Sequence, residues 1–221
     1  RYPPCCACRK QSVGPTDTGP GSQLMFDAAF RARLAGPLDR AAIPLERIGL
    51  GPNTVTGIGF AVGVAGCVAI AYEHWWLGLA LWIVNRLADG LDGPLARRTG
   101  PTDLGGLLDI LADFAIYGGV VVAVGIALPE ARLAGLVVFL MYYLSGSSFL
   151  AFSSLATKRR MEGDGRSLQF PAGIAEGSET IAAYILILAF PSQAAPLLWI
   201  WAVLVGITLL QRLAIITRLL H

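Results

Sequence analysis

Residues 85–114 read NRLADGLDGPLARRTGPTDLGGLLDILADF, and the placement of the acids in this run decides the fold. Asp89 and Asp92 are three apart and Asp109 and Asp113 four apart, spacings that put each pair on one face of a helix. A short loop near 98–103 joins the two helices and makes them antiparallel neighbours. The four carboxylates are therefore expected to converge at one depth.

Outward from this run the charges thin out. The 221 residues are 55% hydrophobic and only 14% charged, whereas a soluble domain carries about 25% charge, so lipid is the solvent implied. A spanning helix needs about 20 mostly apolar residues. Six segments meet that need, roughly 54–72, 76–95, 105–128, 133–156, 172–190 and 195–216. The expectation is an all-α membrane protein of about six transmembrane helices, with one membrane domain over residues 52–221. The net charge of +2 comes with no basic stripe, which argues against a nucleic-acid partner. Cys5, Cys6, Cys8 and Cys67 lack the spacing of a disulfide framework or a metal site.

The N-terminal part divides in two. Residues 1–24 are rich in Pro, Gly, Ser and Thr and are expected to be a disordered extension, with Met25 as the natural start. Over 25–51, Phe26, Phe30, Leu34 and Leu38 recur at helical spacing between Arg31, Arg33 and Arg40. That pattern fits an amphipathic helix in the membrane interface, or equally a cytoplasmic helix packed on the domain. Pro37 and Pro44 are expected to break or kink it.

Basic residues set the orientation. The loops at 73–75 and 191–194 carry no Lys or Arg, and 129–132 carries only Arg132. The other side receives Arg31, Arg33, Arg40, Arg47, Arg97, Arg98, Lys158, Arg159, Arg160, Arg166 and Arg218. Under the positive-inside rule both termini and the loop near 98–103 are cytoplasmic. Lys158, Arg159, Arg160 and Arg166 read first as topological markers touching anionic lipid, and second as a site for a phosphorylated acceptor.

Four clustered carboxylates do not persist unaided. Two like charges about 4 Å apart repel by roughly 4 kcal/mol at an effective dielectric near 20. Protons, cations or a buried ion-pair network with Arg86 and Arg97 must offset them. Oxygen ligands without His or Cys select a hard ion, Mg²⁺ or Mn²⁺. Gly90, Gly93, Ala96, Gly105 and Gly106 leave a bare groove, and Arg97 lies one turn beyond Gly93. A metal pair, such a groove and an arginine make a pyrophosphate site.

The same run resembles the signature of the CDP-alcohol phosphatidyltransferases, D-x-x-D-G-x-x-A-R followed by G-x-x-x-D-x-x-x-D. Asp89, Asp92, Gly93, Ala96, Arg97, Gly105, Asp109 and Asp113 meet it. Upstream, Pro52-Asn53-Thr54-Val55-Thr56 is similar to the P-N-x-x-T stretch that opens the family's first span. Two departures stand out: the gap between Arg97 and Gly105 is shorter than usual, and Pro94 is expected to distort the end of the second span.

The resemblance implies transfer of a substituted phosphate from a CDP-alcohol to a hydroxyl, with CMP released. The donor implied is CDP-diacylglycerol, or alternatively a CDP-linked headgroup passed to a lipid alcohol. By the same analogy Asp89, Asp92 and Asp109 bind a pair of Mg²⁺ or Mn²⁺ ions. Asp113 completes that metal site and serves as base for the acceptor. Gly93, Ala96, Arg97, Thr102 and Gly105 line the nucleotide site, joined by Asn53 and Thr56, for which plain helix capping is the competing reading. The family also implies a homodimer in the bacterial inner membrane, its site facing the cytoplasm.

Glu176 and Glu179, with Ser145, Ser147 and Ser148 as candidate partners, either line a pocket for the acceptor alcohol or form a solvated helix start. This region is similar to uncharacterised bacterial inner-membrane members of the family and does not identify the acceptor. A divalent-cation transporter is the competing class. It would more often show an internal repeat with acids at mid-membrane, whereas here one motif occurs once.

Overall fold

The computed structural model describes residues 25–158 and 177–220. They form seven α-helices: α1 (Met25–Arg47), α2 (Pro52–Ala71), α3 (Trp75–Thr99), α4 (Asp103–Ala127), α5 (Arg132–Lys158), α6 (Gly177–Ala189) and α7 (Ala194–Leu220). No strand occurs among the described residues. Pro52–Ala71, Asp103–Ala127, Pro129–Leu155 and Pro191–Arg218 are long and apolar enough to cross a membrane. The other two expected spans also coincide with helices. However, α3 carries Arg86, Asp89, Asp92, Arg97 and Arg98, and the described part of α6 is only 13 residues long. Residues 1–24, Arg159, Arg160, Arg166 and Glu176 lie outside the described residues.

The turns explain how the site is assembled. Pro52 starts α2, where a missing N–H is harmless and the ring presets the helical φ. The α2–α3 connection is tight, with Glu73 at φ 64° and the His74 amide donating back to the Ala69 carbonyl at 2.8 Å. Gly100 follows α3 at φ 104°, a conformation side chains disfavour, and its amide donates to the Ala96 carbonyl. Thr102 then caps α4, its hydroxyl accepting from the Gly105 amide at 3.0 Å. So α3 and α4 run antiparallel, and the acids at the end of one meet those at the start of the other.

Small residues let α2 approach its neighbours. A Cβ on Gly63 would lie 2.6 Å from Ile116 of α4 and 2.9 Å from the Asn85 amide of α3. Close backbone approach of this kind drives association where lipid is as apolar as the protein. Helix α2 packs on α3 and α4, and α5 packs on α7 and α4. The buried core between them includes Trp82, Ile116, Val124, Tyr184, Leu188 and Trp201. Outward-facing Leu136, Val203 and Leu210 are at least 60% exposed, as lipid-facing side chains are expected to be.

The prolines do not end their helices here. Helix α3 continues through Pro94 to Thr99, and Pro94 is buried. A proline disfavours the α region for the residue before it through clashes with that residue's N–H and Cβ, and Gly93 lacks the Cβ. Helix α1 likewise runs uninterrupted through Pro37 and Pro44. It packs on α3, with Ala42 fully buried against the cluster of Val55 and Leu95. Arg98 adds ion pairs to Glu46 and, at 3.6 Å, to Asp39. These pairs are surface-exposed, so they register α1 rather than contribute much stability.

Candidate active site

Carboxylate oxygens of Asp89, Asp92 and Asp109 lie within 4.8 Å of one another. The first two come from the last three turns of α3 and the third from the second turn of α4. Asp92 is buried and the other two are half-buried. Its Oδ2 accepts from the Thr56 hydroxyl of α2 at 2.6 Å. That bond fixes Asp92 and spends the hydroxyl on the acid. A cleft lined by Thr56, Gly59, Phe60, Asn85, Arg86, Asp89, Asp92 and Ala112 opens beside the acids.

The trio fits a divalent cation. Oxygens bound to one Mg²⁺ at about 2.0–2.1 Å lie within about 4.2 Å of each other, so small side-chain rotations close the trio around an ion. All three donors are hard oxygens, which suits Mg²⁺ or Mn²⁺.

Asp113 adjoins the trio at Asp89. Its Oδ1 accepts from Arg86 Nη1 at 2.7 Å, and the same nitrogen lies 3.7 Å from Asp89 Oδ2. Sequence spacing placed all four acids together. The structure brings the four together, three with oxygens within 4.8 Å of one another and Asp113 beside Asp89 and held by Arg86. Arg97, the other expected partner, is exposed.

The expected nucleotide residues gather at the helix ends. A Cβ on Gly105 would lie 2.7 Å from Asn53 Oδ1 and 3.0 Å from Thr102 Oγ1, so these three converge where α2 and α4 begin. Arg97 Nη1 lies 3.7 Å from the position a Gly93 Cβ would take, so the guanidinium covers the bare face of α3. Ala96 is half-buried beside it.

Of the expected acceptor residues, Glu176 lies outside the described ones. Glu179 accepts from Ser178 at 2.8 Å. Ser145 instead accepts from Arg212 Nη1 of α7 at 2.9 Å, Ser148 donates to the Ser145 carbonyl, and Ser147 is exposed. Arg212 is only 7% exposed and was not singled out by sequence reading. Its signal was a lone arginine inside an apolar helix, which calls for a functional explanation. Arg86 was seen only as an ion-pair partner.

The family model described as CDP-alcohol phosphatidyltransferase matches residues 50–216. The chain is 37% identical to the inner membrane protein YnjF of Escherichia coli over 85% of this chain and 93% of that protein. It is 33% identical to the phosphatidylinositol phosphate synthase of Mycobacterium marinum over 84% and 80% of the two chains. Solved structures of the Mycobacterium tuberculosis phosphatidylinositol phosphate synthase superpose with a TM-score of 0.62 at 26% identity. One has CDP-DAG bound and covers 81% of this chain and 92% of that one. Another is in complex with manganese and citrate and covers 81% and 88%.

Proposed function

The chain belongs to the CDP-alcohol phosphatidyltransferase family, and from that premise we propose that it moves a phosphatidyl group from CDP-diacylglycerol to an acceptor alcohol. The observation that carries this reading is the trio Asp89, Asp92 and Asp109 at the joined ends of α3 and α4. The related synthase with CDP-DAG bound supports the choice of donor.

In this reading Asn53, Thr102 and Gly105 receive the cytidine end of the donor, and Arg97, beside Gly93 and Ala96, neutralises a phosphate oxygen. Thr56 keeps Asp92 turned toward its fellow acids. Asp113 takes the proton of the acceptor hydroxyl as its oxygen bonds to the lipid-side phosphorus. The phosphoanhydride bond to CMP breaks, and CMP leaves with the electron pair. A pair of Mg²⁺ or Mn²⁺ ions, held by the trio with Asp113 completing the site once loaded, would offset the charge of the pyrophosphate.

The same reading places α2 to α7 as six spans, with both termini and the acids on the cytoplasmic side. It keeps 1–24 as an extension, 25–51 as an interfacial helix and 52–221 as the transmembrane domain, and takes the assembly to be a homodimer. The direct test is incubation of the purified chain with CDP-diacylglycerol and a panel of acceptors: inositol phosphate, glycerol phosphate, free polyols and amino alcohols. The expected result is CMP release that depends on one class of acceptor. No CMP release with any acceptor, from protein that binds CDP-diacylglycerol, would count against phosphatidyl transfer.

A further inference from the structure

Arg86 is the least expected residue of the acidic cluster. Its side chain is 8% exposed, yet it carries a permanent charge inside a helix bundle. A buried guanidinium persists only when it is paired, and here each of its three nitrogens donates a hydrogen bond. Nε and Nη2 donate to Asn85 Oδ1 at 2.9 and 2.7 Å, and Nη1 donates to Asp113 at 2.7 Å. Asn85 is itself fixed, its Nδ2 donating to the Gly59 carbonyl of α2 at 2.9 Å. The guanidinium carbon also sits 4.6 Å from the centre of the Tyr117 ring, within cation–π range. The Tyr117 carbonyl in turn accepts from the Tyr184 hydroxyl of α6 at 2.8 Å. Arg86 is therefore clamped by three helices and has little freedom to follow a ligand.

The geometry points to Arg86 as an internal counter-cation that reaches both Asp113 and Asp89 and competes with divalent ions for the acidic cluster, lowering its affinity for them. This rests on the ion-binding reading of the trio. Two physical effects act in the same direction. The fixed charge, 3.7 Å from Asp89, repels an incoming cation. The 2.7 Å bond also occupies the Asp113 oxygen that would otherwise add a ligand. Arg86 is thus a positioning residue, acting on the acceptor through Asp113 and on the ion through charge.

A residue that only braced α3 against α4 would behave differently when removed: the trio would loosen and ions would bind less well. The counter-cation predicts the reverse. Mn²⁺ binding to the purified full chain in detergent, read by the EPR signal of free Mn²⁺, separates the two. Arg86→Met is expected to bind Mn²⁺ at least about tenfold more tightly than the unaltered chain, as removal of a unit charge within a few ångströms requires. Its turnover should nevertheless fall. Arg86→Lys keeps the charge and loses the fork on Asn85, so its Mn²⁺ affinity should stay close to wild type while kcat drops at constant KM for CDP-diacylglycerol. If Arg86→Met does not fold, the lysine variant carries the test, and parallel losses of Mn²⁺ affinity and kcat there overturn the proposal. Equal or weaker binding in folded Arg86→Met overturns it too. Failure of the unaltered chain to bind Mn²⁺ at all would instead remove the ion-binding reading beneath it.

Discussion

The Thr56 hydroxyl donates to Asp92 Oδ2 at 2.6 Å, so a residue of α2 orients an acid of α3. Groups that orient metal-ligating side chains commonly contribute about 10–100-fold to ion affinity. Thr56→Val should therefore weaken Mn²⁺ binding by about tenfold, while Thr56→Ser keeps the hydroxyl and stays near wild type. An equilibrium Mn²⁺ titration of both variants checks this. Equal affinity in the valine variant would make the hydroxyl a helix-start feature only.

Gly105 and Gly106 are neighbours with opposite surroundings. A Cβ on Gly105 would collide with Asn53 at 2.7 Å, whereas one on Gly106 meets nothing within 4 Å. Gly105→Ala should push Asn53 aside and raise KM for the CDP donor, with an overpacking cost of about 1–3 kcal/mol in stability. Gly106→Ala should leave KM and the melting temperature unchanged. Steady-state kinetics and a thermal melt of the pair decide whether the contact matters to nucleotide binding.

The roles proposed for the acids predict different losses on substitution. Asp89→Asn should weaken both Mn²⁺ and CDP binding, because Asp89 belongs to the trio. Asp113→Asn should keep appreciable CDP binding while turnover falls by about 10²–10⁴-fold, the usual contribution of a positioned base. Nucleotide affinity and turnover measured at saturating Mn²⁺ check the assignment. Loss of CDP binding as complete in Asp113→Asn as in Asp89→Asn would contradict it.

Orientation is open to chemical labelling. In a cysteine-free background, Glu73→Cys and Gln193→Cys should react with an impermeant thiol reagent added to intact cells. Asp103→Cys, in the first turn of α4 beside the acids, should react only after the membrane is opened. Labelling of position 103 from outside would reverse the placement of the site.

The sequence makes the site legible where helical spacing suffices. Asp89 to Asp92 and Asp109 each lie on a helix whose register follows from the apolar pattern, and the short Gly100-Pro101-Thr102 connection brings the acid-bearing ends of the two helices together. The convergence of Asn53 with Thr102 and Gly105 was likewise foreshadowed by the motif positions. Spacing alone could not show that Arg86 holds Asp113 beside Asp89. That depends on the rotation of α4 about its axis and on Arg86 reaching across from α3, neither of which leaves a periodic trace. Pro94 does not end α3, and Gly93 before it lacks the Cβ that adds to the usual clash. The acceptor side was least legible, because the buried partner of Ser145 proved to be Arg212, more than sixty residues away in sequence.

Transfer of the phosphatidyl group should require a divalent ion held by the aspartate trio. The most direct measurement is CMP release from CDP-diacylglycerol by the purified chain, with an accepted alcohol, after exhaustive treatment with EDTA. The account predicts no release in chelator, recovery on adding excess Mg²⁺ or Mn²⁺, and no recovery in Asp109→Asn at the same ion concentration. Full activity in EDTA, or unimpaired recovery in Asp109→Asn, would contradict it.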